Sequence, residues 1–165
     1  MKVAHVINSL NRGGAESHLL ELVKAQSNTG LTTDVIVIGE DSSDILSIKK
    51  ELSSVCRKIY RLKGPRMFNI FSYIKLQKII RNNSYDVIHS HQPRSDFMFF
   101  ILKSFTAITT TWIVSIHGKY DTYLEGNIFF DQIRKLSMPL LVKIWSSRNQ
   151  IICISQEVKK WLTTY

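Results

Sequence analysis

Three short segments of the sequence carry residues whose types and spacing could do chemistry. The first is "NRGGAES", Asn11–Ser17, in which two adjacent glycines separate an apolar run from an amphipathic run. In the second, "VIHSH", His89 and His91 close an apolar run, and in the third, "VSIHG", His117 does the same. Glycines before a helix can bind phosphate. A histidine can donate a hydrogen bond, move a proton or ligate a metal.

The glycine turn matches neither of the two best-known phosphate-loop patterns. A dinucleotide loop needs G-x-G-x-x-G and an acid that closes the second strand, whereas here the glycines are adjacent, and Glu40 and Asp41 follow Gly39. A nucleoside-triphosphate loop needs G-x-x-x-x-G-K-[ST], which the sequence lacks. From these residues alone, a tight turn and a phosphate site are equally good interpretations of Gly13 and Gly14.

The histidines allow several interpretations, and the residues alone leave some of them open. His89 and His91 are two positions apart, so on an extended strand both rings point to the same face. A metal site needs further ligands, and because nothing in the spacing requires Asp96 or His117 to join this pair, we expect no metal. We expect His89 to be hydrogen-bonded and partly buried, while His91 is either such a group or a ligand contact. His117 either contacts a ligand or is satisfied by the backbone at the end of its strand.

Nucleophilic catalysis and disulfide bonding are both disfavoured by the sequence. It contains no G-x-S-x-G elbow, and neither Cys56 nor Cys153 is placed in an electropositive strand-to-helix turn. Both cysteines lie in apolar or strand-like runs. We therefore expect reduced, packed thiols in a reducing compartment.

Short apolar, β-rich runs alternate with longer helical patterns along the chain, which predicts a doubly wound α/β fold with a mostly parallel sheet. The predicted strands are Lys2–Asn8, Thr33–Gly39, Arg57–Leu62, Tyr85–His91, Thr111–His117 and Asn149–Ser155. The predicted helices are Glu16–Ser27, Asp44–Ser54, Phe68–Asn82, Ser95–Ser104, Phe129–Ser146 and one that begins at Gln156. The length suits a single domain over residues 1–165. Ligands bind outside the carboxyl ends of such strands, so the glycine turn and the histidines are expected at one rim.

The formal net charge of +9 is unevenly spread along the chain. One basic segment without acids contains Arg57, Lys58, Arg61, Lys63 and Arg66. The segment is either an ordinary solvated surface or a site for an anionic membrane, at which each Lys or Arg contributes about 1 kcal/mol. We expect no nucleic-acid partner, because one aromatic residue and no recognised motif accompany the charges.

The stretch Phe97–Ile116 is long enough to span a bilayer, but we expect a buried helix followed by a buried strand. Lys103 lies near its middle, and serine and threonine fill much of the rest. The first apolar run is too short for a secretory signal, and no small-residue cleavage site follows it. We therefore expect a cytoplasmic protein, peripheral on the inner face of the membrane if the basic segment binds lipid.

Four segments occur in order and at suitable intervals along the chain: "KVAHVINSLNRGGAESHLLELVKA", "YDVIHSHQPRSD", "VSIHGKYD" and "IICISQEVKKWL". Together they resemble the amino-terminal half of a GT-B glycosyltransferase of the retaining family four, the group 1 type. The resemblance extends over essentially the whole chain. It implies one Rossmann-like half of a GT-B fold, in which two such halves face each other across the active-site cleft.

The resemblance also implies roles for individual residues. Gly13 and Gly14 would approach the donor diphosphate, and His117 would be the catalytic residue near the donor sugar and leaving phosphate. The acceptor side would include Asn11, Arg12, His91, Arg94 and Ser155. The implied reaction transfers a sugar, with retention, from a nucleotide-sugar donor to a surface polysaccharide or lipopolysaccharide-type acceptor. It needs neither a metal nor a protein nucleophile.

Relative to the family pattern, the carboxy-terminal half that holds the nucleotide sugar is absent, because the chain stops at Tyr165. We therefore expect this polypeptide to be inactive alone and to need that half as a partner. The alternatives are a nucleotide-binding oxidoreductase domain, a non-enzymatic flavodoxin-like binding module and a metal-dependent hydrolase. The absent third glycine disfavours the first, and the lack of paired acids near strand one disfavours the second.

Overall fold

The computed structural model describes residues 1–11, 13–39, 46–62, 70–119, 139–146 and 150–164. The strands are β1 Lys2–Ile7, β2 Thr32–Val37, β3 Lys58–Arg61, β4 Val87–Ser90, β5 Thr111–Ile116 and β6 Gln150–Cys153. The helices are α1 Gly14–Asn28, α2 Leu46–Val55, α3 Ile70–Asn83, α4 Pro93–Phe105, α5 over residues 139–146 and α6 Gln156–Leu162. The strands form one sheet in the order β3-β2-β1-β4-β5-β6, and every pairing is parallel. The predicted doubly wound α/β fold is confirmed.

The strands are apolar because helices cover both faces of the sheet. β1 is buried without interruption from Val3 to Ile7, as expected for a central strand of a parallel sheet. One apolar cluster joins Val6 and Ile88 to Phe99 of α4. A second cluster, which includes Ile7 of β1, packs against α1 and α2. Burial on both faces therefore fixes the strands that carry the candidate site.

The sheet changes the direction in which it grows between β1 and β4. β1 pairs with β2 on one side and with β4 on the other, so the chain adds β2 and β3 outward before it returns to add β4, β5 and β6. Connecting helices leave opposite faces at such a switch point and open a crevice at the carboxyl ends of the strands. The segments that follow Ile7 and Ser90 flank this crevice.

The face of β1 and β4 beneath α1 carries polar rings beside apolar side chains such as Ile7. His5 stands opposite His89 in the pairing of these two strands, and the His5 ring contacts Gln26 of α1. His89 also lies beside β5, where its ring contacts Ser115. Adjacent strands therefore assemble a row of histidines that are far apart in the sequence.

None of the helices that the structure describes is long and apolar enough to cross a membrane. The stretch Phe97–Ile116 forms most of α4 and all of β5, which confirms the interpretation as a helix followed by a strand. Cys56 and Cys153 are free, half-buried thiols, and burial raises the pKa of both. The predicted helix Phe129–Ser146 lies partly outside the described residues, and its last residues, 139–146, are helical.

Candidate functional site

A cavity of about 370 Å³ opens at the switch point. It is lined by Asn8, Gly14, Ala15, Glu16, Gln92, Pro93 and His117. The end of β1, the start of α1, the start of α4 and the residue after β5 thus meet at one place. Two of the sequence-predicted site residues, Gly14 and His117, share this cavity.

The glycine turn leads directly into α1, with Gly13 extended at the N-cap position. A Cβ on Gly13 would lie 2.5 Å from Glu16 Oε2, whereas a Cβ on Gly14 would meet no heavy atom within 4 Å. Gly13 therefore makes room for the Glu16 carboxylate. Gly14 leaves open space beside the first N–H groups of α1, where an anion can bind.

Gln92 connects the elements that surround the cavity. Its Nε2 donates to Glu16 Oε1 at 3.2 Å, and its Oε1 accepts from the Asn8 backbone N–H at 2.9 Å. Glu16 is only 6% exposed and lies in the first turn of α1, where a carboxylate interacts favourably with the helix dipole. The cavity therefore offers both N–H donors and one acid to a ligand.

All five histidines of the chain lie together beside the cavity. The group, which we call the histidine cluster, consists of His5, His18, His89, His91 and His117. Ring centroids within it are 4.2 to 6.4 Å apart. Four members come from the adjacent β1, β4 and β5 or directly follow these strands, and α1 supplies the fifth.

A continuous chain of hydrogen bonds runs through the cluster from α1 to the cavity. Gln26 Oε1 lies 2.8 Å from His5 Nε2, His5 Nδ1 lies 2.9 Å from His91 Nε2, and His91 Nδ1 lies 3.3 Å from His117 Nε2. An amide oxygen only accepts, so His5 carries its proton on Nε2. If the rings are neutral, His91 then donates from Nε2 to His5 Nδ1, and His117 donates from Nε2 to His91 Nδ1. His117 consequently holds its lone pair on Nδ1.

Burial keeps the three hydrogen-bonded imidazoles, those of His5, His91 and His117, neutral at pH 7. Burial, with a smaller contribution from His18, lowers the pKa of His5 to about 4 and that of His117 to about 4, although the hydrogen bond to Gln26 acts to raise that of His5. Burial lowers the pKa of His91 well below its ordinary value, and the neighbouring histidines add to that effect. At neutral pH, His117 is therefore a neutral hydrogen-bond acceptor through Nδ1, an atom that is buried in this structure, and it brings no positive charge to a phosphate.

The structure confirms the interpretation of His89 and shows where His117 lies, which the spacing left open. His89 is buried, and its Nε2 lies 2.8 Å from Ser115 Oγ, as expected of a hydrogen-bonded group. The rings of His89 and His91 lie on the same face, with centroids 4.2 Å apart. However, His117 does join this pair, because β4 and β5 are neighbours. His91 is fully buried, and its contact with an acceptor stays a prediction.

Asp96, which sequence analysis considered as a further metal ligand, has another environment. It is fully buried, and its Oδ2 accepts a hydrogen bond from Trp145 Nε1 at 2.9 Å. Burial raises the pKa of Asp96 to about 7, although hydrogen bonds from Ser90 and Trp145 oppose the rise.

Two overlapping groups of three histidines could hold a metal ion, since their ligand nitrogens lie within 4.8 Å of one another. The first group, His5, His89 and His91, is entirely buried. In the second group, His18 is exposed while His91 is buried and His117 is half-buried. The sequence did not anticipate either group, and the expectation that the chain holds no metal stays a prediction.

Of the other predicted acceptor residues that the structure describes, Asn11, Arg94 and Ser155 do not line the cavity. Asn11 is half-buried, and Arg12 lies outside the described residues. Arg94 extends towards the end of β2, where its Nη1 lies 3.7 Å from the position of a Cβ on Gly39. Ser155 is the N-cap of α6, and its hydroxyl accepts a backbone N–H of that helix at 3.2 Å. Their contacts with an acceptor stay predictions.

Arg57 of the basic segment forms a structural ion pair. Its Nε donates to Asp34 Oδ1 at 2.9 Å, and its second terminal nitrogen donates to Asp34 Oδ2. Asp34 is fully buried, and the Tyr85 hydroxyl also donates to it. These bonds raise the pKa of Arg57. Arg57 thus compensates a carboxylate that the sequence places 23 positions away.

The other members of the basic segment are placed differently. Lys58 is exposed, with its Nζ 4.8 Å above the centre of the Tyr60 ring. Arg61 is half-buried at the end of β3, while Lys63 and Arg66 lie outside the described residues. Binding of this segment to a membrane stays a prediction.

Sequence reasoning did not single out His5 and His18. His5 stands among apolar residues in β1, and only the pairing of β1 with β4 brings it to His89. His18 lies one helical turn after Gly14, on the same side of α1 as the glycine turn. The i, i+4 spacing was therefore a usable signal for His18, whereas His5 needed the strand order.

The sequence matches the family model described as Glycosyltransferase Family 4 over residues 12–165. No curated protein matches the sequence significantly.

Solved structures share the fold at low sequence identity. Anabaena Alr3699/HepE, whose structure was determined in complex with UDP-glucose, is 14% identical with a TM-score of 0.71, and the match covers 99% of this chain and 40% of that one. Sucrose-phosphate synthase from Thermosynechococcus elongatus is 17% identical with a TM-score of 0.68, over 100% of this chain and 45% of that one. UDP-GlcNAc 2-epimerase from Methanocaldococcus jannaschii is 12% identical with a TM-score of 0.61, over 99% and 42% respectively.

At these identities the structural likeness establishes the fold alone, and the chain spans less than half the length of each of these proteins. The family model, in contrast, matches nearly every residue. The chain therefore belongs to glycosyltransferase family 4.

Proposed function

We propose that the chain supplies the amino-terminal, acceptor-binding half of a retaining GT-B glycosyltransferase. The enzyme transfers a sugar from a nucleotide-sugar donor to a surface polysaccharide or lipopolysaccharide-type acceptor. One observation carries the proposal: Gly14 and His117 line a single cavity at the switch point of the sheet, in a chain of this family. The crevice at such a point is where α/β sheets of this kind bind their ligands.

The start of α1 is the part of the cavity suited to the donor diphosphate. Gly14 leaves space beside the first N–H groups of the helix, and these groups together with the helix dipole attract anions. Glu16 opposes that attraction, but the amide of Gln92 already occupies one of its oxygens. We infer that the diphosphate reaches the backbone of α1 on the Gly14 side of the turn.

His117 contacts the donor sugar as a neutral hydrogen-bond acceptor. Its lone pair lies on Nδ1, because its Nε2 proton is directed to His91. Nδ1 is buried in this structure, so the ring turns towards the cavity when the sugar binds. An acceptor at this position binds a sugar hydroxyl rather than a phosphate oxygen. In such a scheme the leaving phosphate takes the proton of the acceptor hydroxyl on the same face, which accounts for retention without a protein nucleophile. The chain contributes positioning and polar contacts.

A second Rossmann-like half completes the active site in this proposal. The chain covers 40% of HepE and 45% of sucrose-phosphate synthase, and GT-B enzymes place the donor mainly on the other half. We infer that these 165 residues do not transfer sugar by themselves. An assay of the purified chain with labelled UDP-glucose and a lipid-linked acceptor tests this point, and measurable transfer contradicts it.

Calorimetric titration with UDP-glucose and with NAD⁺ tests the proposed ligand class. UDP-glucose is the probe because HepE was solved in complex with it. We expect weak, saturable binding of UDP-glucose and of UDP, and no heat of binding with NAD⁺. Preference for NAD⁺ would instead support the oxidoreductase alternative.

The acceptor is lipid-linked in our proposal, and a basic cavity beside β3 is where the anionic surface binds. This cavity of about 410 Å³ is lined by Lys58, Tyr60, Lys75, Lys78, Ile79, Asn82 and Asn83. Ammonium groups near an anionic leaflet each contribute about 1 kcal/mol to binding. A groove between α3 and α4 nearby is apolar and includes Ile74 and Phe105, which are 54% and 84% exposed.

Co-sedimentation with vesicles tests this membrane contact. We expect binding to phosphatidylglycerol vesicles and little to neutral phosphatidylcholine vesicles. The variant Lys58→Glu with Lys78→Glu should lose binding. The control variant Lys49→Glu with Lys50→Glu makes the same charge change on the exposed side of α2 and should retain it. Equal binding to neutral and anionic vesicles contradicts the proposal.

A further inference from the structure

The histidine cluster contains more imidazoles than the hydrogen-bond chain to the cavity uses. That chain runs through His5, His91 and His117. His18 lies outside it, although its ring centroid is 5.1 Å from that of His117 and 6.4 Å from that of His91. An exposed imidazole held against two less exposed ones, on the rim of a cavity, is an arrangement that ligates metal ions.

We propose that His18, His91 and His117 form a zinc-binding site of three imidazoles, whose fourth position is available to water or to a ligand oxygen. The proposal rests on the positions of these side chains. Zinc uses the Nε2 lone pair of His117, whereas the sugar contact proposed above needs a proton on Nε2, so the zinc-bound form and the sugar-binding form of His117 exclude each other. The proposal replaces the expectation from sequence that the chain holds no metal.

The spacing of two of the nitrogens already fits a zinc ion. Zn–N bonds of about 2.0–2.1 Å in a tetrahedron place neighbouring nitrogens about 3.3–3.4 Å apart. His91 Nδ1 and His117 Nε2 are 3.3 Å apart. The third nitrogen, from His18, lies within 4.8 Å of the other two. His18 is exposed, so a small side-chain rotation can bring it into the coordination sphere.

The partners of His91 suit a metal ligand. A ligating histidine usually donates its second ring N–H to an acceptor, which fixes its tautomer and orientation. His91 donates from Nε2 to His5 Nδ1 at 2.9 Å, and His5 donates from Nε2 to Gln26 Oε1 at 2.8 Å. The lone pair of His91 therefore lies on Nδ1, the atom that faces His117. His117 presents a second lone pair when its proton moves from Nε2 to Nδ1, which is a buried atom.

The alternative group of His5, His89 and His91 is less suitable. All three are buried, so an ion has no direct route to them from solvent. His5 Nε2 is committed to Gln26, and His89 Nε2 lies 2.8 Å from Ser115 Oγ. These contacts describe supporting groups rather than ligands. The group that includes His18 has both a buried anchor and a solvent-exposed entry.

Three histidines with one further position favour zinc among common cations. Imidazole nitrogens suit zinc, copper and nickel, whereas magnesium and calcium prefer oxygen ligands. The fourth position lies next to His117 and hence next to the cavity that also contains Gly14.

Titration of the chelator-stripped protein with Zn²⁺, in competition with a chromophoric chelator, tests the site. We expect one equivalent of Zn²⁺ per chain. The variant His18→Ala should weaken binding roughly tenfold or more and keep the fold, because His18 is exposed. Substitution with Co²⁺ should give the visible absorption of a tetrahedral site with nitrogen and oxygen ligands, without thiolate charge-transfer bands.

The double variant Cys56→Ser with Cys153→Ser is the matched control, because both thiols are free and could bind zinc adventitiously. It should bind Zn²⁺ as the wild type does. The proposal is overturned if the wild type takes up no stoichiometric Zn²⁺, if His18→Ala binds as tightly as the wild type, or if the cysteine variant loses binding.

Discussion

The tautomer and the charge of His117 are set by residues that lie far from it in the sequence. The acceptor oxygen of Gln26 fixes the proton of His5 on Nε2, and the hydrogen bonds that join His5 to His91 and His91 to His117 then fix the tautomers of those two rings. Burial keeps the rings neutral. The histidine at the cavity is therefore an acceptor of fixed tautomer in the metal-free chain. Its sequence position alone indicated only that it ends a strand.

The two glycines should respond oppositely to the same substitution. Gly14→Ala adds a methyl group where no heavy atom lies within 4 Å, so we expect equal or higher stability, by up to about 1 kcal/mol in this helix. The methyl group occupies the space beside the N–H groups of α1. UDP-glucose binding should therefore fall about fivefold, or about 1 kcal/mol, which titration calorimetry measures.

Gly13→Ala is the matched variant for this experiment. Its Cβ would lie 2.5 Å from Glu16 Oε2, and because Gln92 holds that carboxylate, we expect a loss of about 1 kcal/mol in the free energy of unfolding. Thermal unfolding of both variants separates the two effects. Equal stabilities, or unchanged UDP-glucose affinity in Gly14→Ala, would show that the turn does not have the roles described.

At the scale of elements, the sequence predicted which segments form strands but not which strands are neighbours. Apolar runs predicted the six strands of the described residues. The pattern is clearest for central strands, which are buried on both faces, and weakest for β3, which is short and only half-buried. The order β3-β2-β1-β4-β5-β6 arises from long-range pairing. For this reason the sequence did not single out His5 or indicate the ion pair of Arg57, since the partner of each lies on a neighbouring element.

The ion pair between Arg57 and Asp34, near the amino ends of β3 and β2, tests this long-range pairing. Arg57→Ala leaves the fully buried Asp34 carboxylate with the Tyr85 hydroxyl but without its cation. We expect a loss of about 2–4 kcal/mol in the free energy of unfolding, measured by urea denaturation. Lys58→Ala, next to it and exposed, should change stability by less than about 0.5 kcal/mol. Similar small effects from both would contradict the structural role of Arg57.

For the whole molecule, the histidine cluster makes stability depend on pH. Folding lowers the pKa of His5 to about 4 and that of His89 to about 3, whereas unfolded histidine titrates near pH 6.5. Between these values the unfolded chain binds more protons than the folded one, so stability is full above pH 6.5 and falls as the pH decreases towards 4. Asp96, with a pKa raised to about 7, acts in the opposite direction but is a single group.

Thermal unfolding from pH 4.5 to 7.5 in the presence of a chelator measures this dependence. We expect the midpoint temperature to rise steadily with pH up to about 6.5, because several buried histidines outweigh one carboxyl. Asp96→Asn removes the opposing contribution and should make the rise steeper. A flat profile, or greater stability in acid, would mean that the cluster is not buried and neutral.

We place the phosphates and sugar of a nucleotide-sugar donor in the cavity at the switch point, and the proposed function depends on this claim. Backbone amide NMR of the ¹⁵N-labelled chain, recorded during a titration with UDP-glucose, tests it most directly. We predict that the largest shift changes occur at Gly13, Gly14 and His117, with none at Lys58, the first residue of the edge strand β3. Changes centred elsewhere, or no changes at millimolar UDP-glucose, would contradict the claim.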